Sequence, residues 1–396
     1  VALVPAFLKI AATSISYDLA TVRTEGAPPM NSKRFRLRSR SLWCIALLMG
    51  SAGVCAETMR QYQFEAQHGG YELVVRDVEP TAAGPNDVVV RVRAVSLNRR
   101  DLSMLRGNYG RGGGSADGTI PLSDGAGEVI AIGADVTRFE VGDRVVGIFF
   151  ERWLEGPRSA EALASARGGS PGGMLSEVVV THEDGLVAIP EHLSFEEAAT
   201  LPCAGLTAWV GLFKYGGLQA NDYVLLEGTG GVSVFGLIFS TAAGARPIIT
   251  SSSDEKLERA RKLGAYATAN YRTDADWQQT VRAATGGAGV NHVLEVGGRD
   301  TLSRALEALA YDGHIALIGG LSGFAQEVPV RALMGLGASV TGIYVGSRED
   351  FEAMNAFISE HEIHPAIDRV FAFEDAPAAY DLMENGSFFG KIVITL

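Results

Sequence analysis

Seven residues, Glu227-Gly-Thr-Gly-Gly-Val-Ser233, constrain this chain more than any other stretch. They follow the apolar run Tyr223-Val-Leu-Leu226 and open the segment Gly231 to Gly244, whose pattern is helical. Gly228 permits a tight turn, and Gly230 lets the backbone come close to a phosphate. The helix then offers unpaired N–H groups and the positive end of its dipole. Ser233 stands where a third glycine would bring helix and strand closest, and it is small enough to fit. This strand–turn–helix context predicts a dinucleotide-binding turn, with Gly228, Thr229, Gly230, Gly231 and Val232 around the phosphates. A plain glycine turn is the competing reading, and the repeats downstream argue against it.

Those repeats alternate strand and helix. Pro247–Thr250 reads as a strand, Asp254 to Leu263 as a helix ended by Gly264, and Thr301 to Leu309 as another helix. His292–Val296, Ile315–Ile318 and Val340–Val345 supply further buried strands. Apolar strands alternating with amphipathic helices imply a parallel sheet covered on both faces. Upstream, residues 59–150 carry short strands punctuated by glycine, among them Asp87–Val95 and Gly127–Gly133, and predict a small β-rich domain. Residues 151–173 are polar, rich in Gly, Ser and Ala, and read as a long surface loop placed to cover a cleft. Ser194-Phe-Glu-Glu197 has the pattern of a capped helix start. Lys391–Leu396 reads as a last strand that rejoins the first domain.

Cofactor choice is read about 20 residues past the turn, where a carboxylate would bind the ribose 2′-OH of NAD. Here the strand ends in Thr250-Ser-Ser-Ser253, with Lys256 close behind. A carboxylate would repel a 2′-phosphate, whereas hydroxyls such as Ser252 and an ammonium would hold one. Asp254 is the exception, and its place before Glu255-Lys-Leu257 suits a helix cap. The expected cofactor is NADP(H).

The first 56 residues do not read as fold. Met30 opens a basic segment with Lys33, Arg34, Arg36, Arg38 and Arg40, followed by the apolar run Leu42 to Met49 and by Val54-Cys-Ala56. That is the pattern of a secretory signal peptide, which implies a periplasmic or secreted protein. The competing reading is a true start at Met59 and a cytoplasmic protein. Residues 1–56 hold seven basic and two acidic side chains, so the remaining 340 carry a net charge of −17 against −12 for the whole chain. Such an acidic body argues against nucleic-acid binding, which draws on Lys and Arg. No later segment has the ~18 uninterrupted apolar residues of a membrane span. Beyond the leader Cys203 is the only cysteine, in an apolar context that suits core packing.

Several segments together, Ser96-Leu-Asn98, Pro121-Leu-Ser-Asp-Gly-Ala-Gly127, Val141-Gly-Asp-Arg-Val145, Leu201-Pro-Cys-Ala-Gly-Leu-Thr-Ala-Trp209, Gly228–Val232 and Ser253–Arg259, form an ordered set. The set resembles the medium-chain dehydrogenase/reductase superfamily, in its zinc-independent quinone oxidoreductase-like branch, from about residue 59 onward. The resemblance implies an α/β fold, with a doubly wound parallel Rossmann sheet inserted in a GroES-like β-rich catalytic domain. The expected bounds are 57–185 and 345–396 for the catalytic domain and 186–344 for the Rossmann domain, with nicotinamide at their junction. It also implies a homodimer or homotetramer. Carried over by position, Lys256 and Tyr271 resemble the pair that grips the adenosine 2′-phosphate. Lys391 is a further candidate from the last strand, and Thr207 and Gly319 join the cofactor contacts. Asn98 and Tyr109 match positions lining the substrate cleft.

Zinc-using relatives place a cysteine early in the catalytic domain and a His-Glu pair in a glycine-rich turn. The corresponding stretches here are Asn98–Asp101 and Ser123-Asp124-Gly125, so no metal is expected. Hydride would then pass to a quinone, or to an activated alkene or carbonyl, with Asn98 and Tyr109 hydrogen-bonding the acceptor oxygen. Asp124 is expected to be structural, and Arg99 and Arg100 to be solvated. A zinc-type alcohol dehydrogenase and a non-catalytic NADPH-binding protein are the rival readings.

Overall fold

The computed structural model describes residues 58–109, 117–324 and 329–396, so the expected leader lies outside the described residues. β1 (Met59–Gln67) and β2 (Gly70–Val78) form an antiparallel hairpin. β3 (Asp87–Ser96) is the spine of the next sheet, where Val88, Val90 and Val92 turn inward while Arg91 stays in solvent, the period of two expected of a half-buried strand. It pairs antiparallel with β4 (Asp124–Ile132), which pairs with β5 (Arg144–Gly147). β6 (Val178–His182) also pairs with β3, and β7 (Leu186–Ala188) closes the far side on β5.

The stretch between β5 and β6 is anchored. Phe149, Phe150, Trp153 and Ala162 are buried, and a short helix spans Ala160–Leu163. Arg167 is 1% exposed, with Nη1 2.9 Å from a Glu151 carboxylate oxygen and Nη2 donating to Thr181 Oγ1 at 2.7 Å. A polar, glycine-rich composition concealed these anchors. The expectation of a surface loop is therefore corrected in part: residues 155–161 are exposed, while Trp153, Ala162, Ser165 and Arg167 anchor the stretch in the domain.

The second sheet comprises β8 (Tyr223–Leu226), β9 (Arg246–Ser251), β10 (Ala267–Asn270), β11 (Val290–Glu295), β12 (Leu309–Leu317) and β13 (Ser339–Gly342). All are parallel, in the order β10-β9-β8-β11-β12-β13. Counted from β8 this is 3-2-1-4-5-6, whose topological switch falls between β8 and β11, where such folds open a ligand crevice. Val224, Leu225, Leu226, Val293, Leu294 and Ile315 are wholly buried, each contributing about 1.5–3 kcal/mol on removal from water. Helices Gly231–Ala242 and Asp254–Lys262 make the crossovers to β9 and β10.

After helix Arg348–Glu360 the chain returns to the first sheet. β14 (Ile367–Ala372) lies beside β15 (Lys391–Thr395), and β15 pairs antiparallel with β3. This sheet is thus built from both ends of the described chain. No helix among the described residues is long and apolar enough to cross a membrane.

Candidate functional site

The turn after β8 is an open cradle. Gly228 has φ +73°, a conformation that disfavours side chains, and an added Cβ at Gly230 would meet nothing within 4 Å. Gly230 is the N-cap of helix Gly231–Ala242, and no side chain bonds to that helix end, which presents the positive end of its dipole to an anion. Gly231 is tight by contrast: a Cβ there would meet Lys391 Cδ at 2.8 Å and Ala204 Cβ at 3.1 Å. Ser233 Oγ donates to Glu227 O at 2.6 Å, a bond that glycine could not supply. Thr229 is buried with Oγ1 3.4 Å from Ser251 Oγ, while Val232 packs beside the core.

A cleft of about 450 Å³ lies at the carboxyl ends of β8, β9 and β11, lined by Glu227, Gly228, Thr250, Tyr271, Val296 and Arg304 among others. This cradle and cleft fit a dinucleotide. Tyr271 is 45% exposed on the cleft wall. Ser252 is half-buried just past the end of β9, and Lys256 donates from Nζ to Gly386 O at 2.6 Å. The cap of helix Asp254–Lys262 is Ser253, whose Oγ accepts from Lys256 N; Asp254 is instead the first helical residue. Its carboxylate accepts from Asn270 Nδ2 at 2.7 Å. Gly319 lies past β12 with its N–H on Glu295 O, and its Cα is close enough to Val296 that a Cβ would meet Val296 O at 2.7 Å.

Thr207 is buried in a helical run, Leu201–Gly205, Leu206–Trp209 and Val210–Tyr215, whose outer parts have the wide turns of a π-helix. Such turns recur at functional sites. Cys203 lies in the first of them, and its thiol is pushed well above its usual range, chiefly by burial and next by the Asp124 carboxylate. A thiol held protonated is no nucleophile.

Lys391 is placed away from the free surface of the cleft. It is 2% exposed, and its ammonium donates to Leu97 O at 2.7 Å and Asn98 Oδ1 at 2.6 Å, with Asp124 Oδ2 at 3.7 Å. Asp124 is wholly buried, accepting from Ser123 Oγ at 2.6 Å and from Cys203 N at 3.2 Å. Asn98 caps helix Arg99–Leu105; its N–H donates to Asp101 Oδ2 at 2.7 Å, while its Nδ2 is buried without a partner. Burial pushes the Asp101 carboxyl up to about 6, against the pull of Arg100. Leu97 O, Asn98 Oδ1 and Asp124 Oδ2 thus surround an ammonium, with Ser123 bonded to Asp124 behind them. Among the described residues no three His, Cys, Asp or Glu side chains are grouped to hold a metal ion, so the donor set does not fit one.

Tyr109 OH lies 3.0 Å from Tyr344 OH. Burial foremost holds the Tyr109 phenol above its usual range, so it stays a hydrogen-bond donor. Arg99 is exposed as expected, but Arg100 is 9% exposed, its guanidinium between the rings of Tyr109 and Phe149 at 4.9 and 4.7 Å. The expectation of a solvated Arg100 is corrected: consecutive helix residues point in different directions, and only one of these two faces outward.

Sequence reasoning assigned no role to two acids. Glu227 and Glu295, 4% and 0% exposed, end the adjacent strands β8 and β11 at the crevice. Glu295 Oε1 accepts from Gly297 N, Gly298 N and Thr301 Oγ1, while Glu227 Oε1 and Glu295 Oε2 have no other partner. Burial first, then the neighbouring Glu295, raises Glu227 well above the usual carboxyl range. Each ends an apolar run, the one signal that could have drawn attention to them.

Comparison with known proteins follows this geometry. The alcohol dehydrogenase GroES-like domain family matches residues 84–191, and the zinc-binding dehydrogenase family matches residues 231–360. A zinc-type alcohol dehydrogenase-like protein of Schizosaccharomyces pombe is 42% identical over 80% of this chain and 93% of its own length. A quinone oxidoreductase of Pseudomonas aeruginosa is 32% identical over 85% of this chain and 99% of its own. A candidate alcohol dehydrogenase from Sinorhizobium meliloti 1021, of solved structure, superposes with a TM-score of 0.81 at 41% identity, covering 86% of this chain and 99% of its own.

Proposed function

The chain belongs to the medium-chain dehydrogenase/reductase superfamily, and we propose that within it the protein is an NADPH-dependent reductase of quinones or of activated alkenes and carbonyls. It is an oxidoreductase of the alcohol dehydrogenase-like and quinone oxidoreductase-like kind, from a family whose members bind nicotinamide cofactors. The finer reading rests above all on the ammonium of Lys391, which occupies the centre of the Asn98–Asp124 cluster and leaves Asn98 Nδ2 as an unpaired buried donor.

Bound NADPH supplies a hydride. The helix beginning at Gly231 and the turn Gly228–Gly230 hold the diphosphate through backbone N–H groups. Ser252, Lys256 and Tyr271 supply hydroxyls and a positive charge to a 2′-phosphate, at a corner where Asp254 is engaged by Asn270. Asn98 Nδ2 donates to the acceptor oxygen as negative charge grows there, and Lys391 orients the amide by occupying its Oδ1. Tyr109 holds a proton at its phenol oxygen, ready to share it with the same acceptor.

The reading also places a second copy of the chain against the edge strand β13. Val330, Met334 and Val340 are 61%, 78% and 40% exposed there, and helix Val330–Leu336 buries none of its residues. Export through the segment that begins at Met30 is proposed with it. The decisive experiment is a comparison of NADPH and NADH affinity, followed by NADPH oxidation with a panel of quinones and enones. Equal or tighter NADH binding removes the cofactor assignment. Tight NADPH binding with no turnover favours a non-catalytic protein. N-terminal sequencing of cell-derived protein tests export, with Glu57 as the expected first residue.

A further inference from the structure

The ends of β8 and β11 bring two acids together. Leu226 and Leu294 are partners across these parallel strands, and the next residue on each is a buried glutamate, Glu227 or Glu295. One oxygen of each receives donors. Glu295 Oε1 accepts from Gly297 N at 2.8 Å, Gly298 N at 2.7 Å and Thr301 Oγ1 at 2.7 Å. Glu227 Oε2 accepts longer bonds from Val296 N and Gly297 N, at 3.3 and 3.4 Å. The remaining oxygens, Glu227 Oε1 and Glu295 Oε2, are shut off from solvent and receive no donor. The two carboxyls are within hydrogen-bond reach of each other.

Two ionised carboxylates in contact inside a protein repel one another, and they do not both stay charged. One proton between them turns the repulsion into a charge-assisted hydrogen bond and gives both orphaned oxygens a partner. The shorter and more numerous bonds to Glu295 favour its charged form, so the proton rests on Glu227, whose carboxyl is raised by burial and by Glu295. The surroundings offer no cation in its place. Helix Gly231–Ala242 has no charged side chain, and β9 presents Thr250 and Ser251 to the turn. On the cleft wall Asp300 is paired with Arg299, Arg304 donates to Ala275 O, and Tyr271 is half exposed.

Glu227 is also where strand, turn and helix meet. It directly precedes Gly228, its carbonyl accepts from Ser233 Oγ at 2.6 Å, and Gly228 N donates to Thr250 Oγ1 at 3.1 Å. A second ionised acid at this point would push the strand ends apart and set negative charge beside an anionic diphosphate. We propose that Glu227 and Glu295 are positioning residues of the nucleotide crevice: one proton shared by Glu227 Oε1 and Glu295 Oε2 holds the ends of β8 and β11 together, and the form that keeps this proton is the one that binds the cofactor tightly. This rests on the reading of the crevice as a dinucleotide site.

The test has an arm without nucleotide and an arm with it. Infrared difference spectra of protein carrying isotope-labelled glutamate should show, at neutral pH, a protonated carboxyl band that Glu227→Gln removes. NADPH dissociation constants are then measured by fluorescence from about pH 6.5 to about pH 9.5. The wild-type constant divided by that of Glu227→Gln is expected to rise with pH, toward about tenfold per pH unit. The division cancels titration of the 2′-phosphate, Lys256 and Tyr271, which both proteins share. Glu227→Leu cannot bridge the strands, and at neutral pH it is expected to bind NADPH at least about tenfold more weakly than Glu227→Gln, whose amide donates in place of the proton. A ratio that stays constant with pH, or equal affinity in the Leu and Gln variants, overturns the proposal. If Glu227→Leu does not fold, the ratio and the band decide. NADPH binding without the band overturns the shared proton and leaves the dinucleotide reading intact. The band with no nucleotide bound at any pH leaves the shared proton standing and overturns the dinucleotide reading, and with it the positioning role.

Discussion

The ammonium of Lys391 lies 2.6 Å from Asn98 Oδ1, joining the last strand of the chain to the cap of helix Arg99–Leu105. Gly390 N also donates to Thr229 O, so the same point ties the phosphate turn to the catalytic sheet. One buried lysine thereby holds the Asn98 amide and packs beside the turn at Gly231.

Lys391→Met leaves Asp124 and Asn98 Oδ1 buried without their cation, and it is expected to destabilise the protein by about 3 kcal/mol in urea unfolding. Adding Asp124→Asn should recover at least ~1 kcal/mol, the sign of a coupled pair. Strictly additive losses would show that the two groups are independent.

Asn98→Ala and Tyr109→Phe are each expected to lower kcat/KM for the best acceptor by about 10- to 100-fold. NADPH affinity, followed by fluorescence titration, should change little, since neither side chain belongs to the phosphate turn. Full activity in both variants would remove them from the chemistry.

Glu227 is favoured neutral in the folded protein, its carboxyl raised by burial and by Glu295. A raised acid costs no stability below its unfolded value of 4.5. As pH climbs above that, the unfolded chain ionises and the folded state loses ground until its own raised value is passed. Glu227→Gln copies the neutral form, so its melting temperature should match wild type near the unfolded value and exceed it increasingly toward neutral and alkaline pH. Parallel curves across that range would mean that Glu227 is ionised in both states.

His314 stands in register with His292 on β12 and β11, both of its ring nitrogens without partners, and burial draws its pKa down to about 4. His292 faces it and holds Asp222 Oδ2 at 3.0 Å through Nε2. Folding favours the neutral ring, so this contribution is intact above the ordinary 6.5 and is lost as pH falls from there toward 4. Urea midpoints measured across this window should decline, and His314→Leu should flatten the decline.

Met334→Glu places a charge on the exposed helix beside β13, where a second copy is proposed to dock. Light scattering should show a dimer or larger assembly for wild type and a shift toward monomer for the variant. A wild-type monomer at micromolar concentration would end that proposal.

Sequence alone determined the parts whose information is local. The phosphate turn is seven contiguous residues between a strand and a helix, and the glycines it needs are required by backbone geometry whatever lies around them. The alternation of apolar strands and helices likewise carries a parallel sheet in its own periodicity. The tertiary structure decided what long-range contact decides. Lys391 reads in sequence as a candidate cofactor contact from the last strand, and it is buried because β15 returns beside β3 and brings Asn98 and Asp124 around its ammonium. Arg99 and Arg100 are neighbours of one residue type, and only the packing of Tyr109, Phe149 and Arg167 against one side of their helix sends Arg100 inward. Glu227 and Glu295 end strands that are distant in sequence and adjacent in the sheet, so their shared burial follows from strand order alone. A side chain's charge is written in the chain, but the dielectric and the partners that set its energy come from residues folded against it.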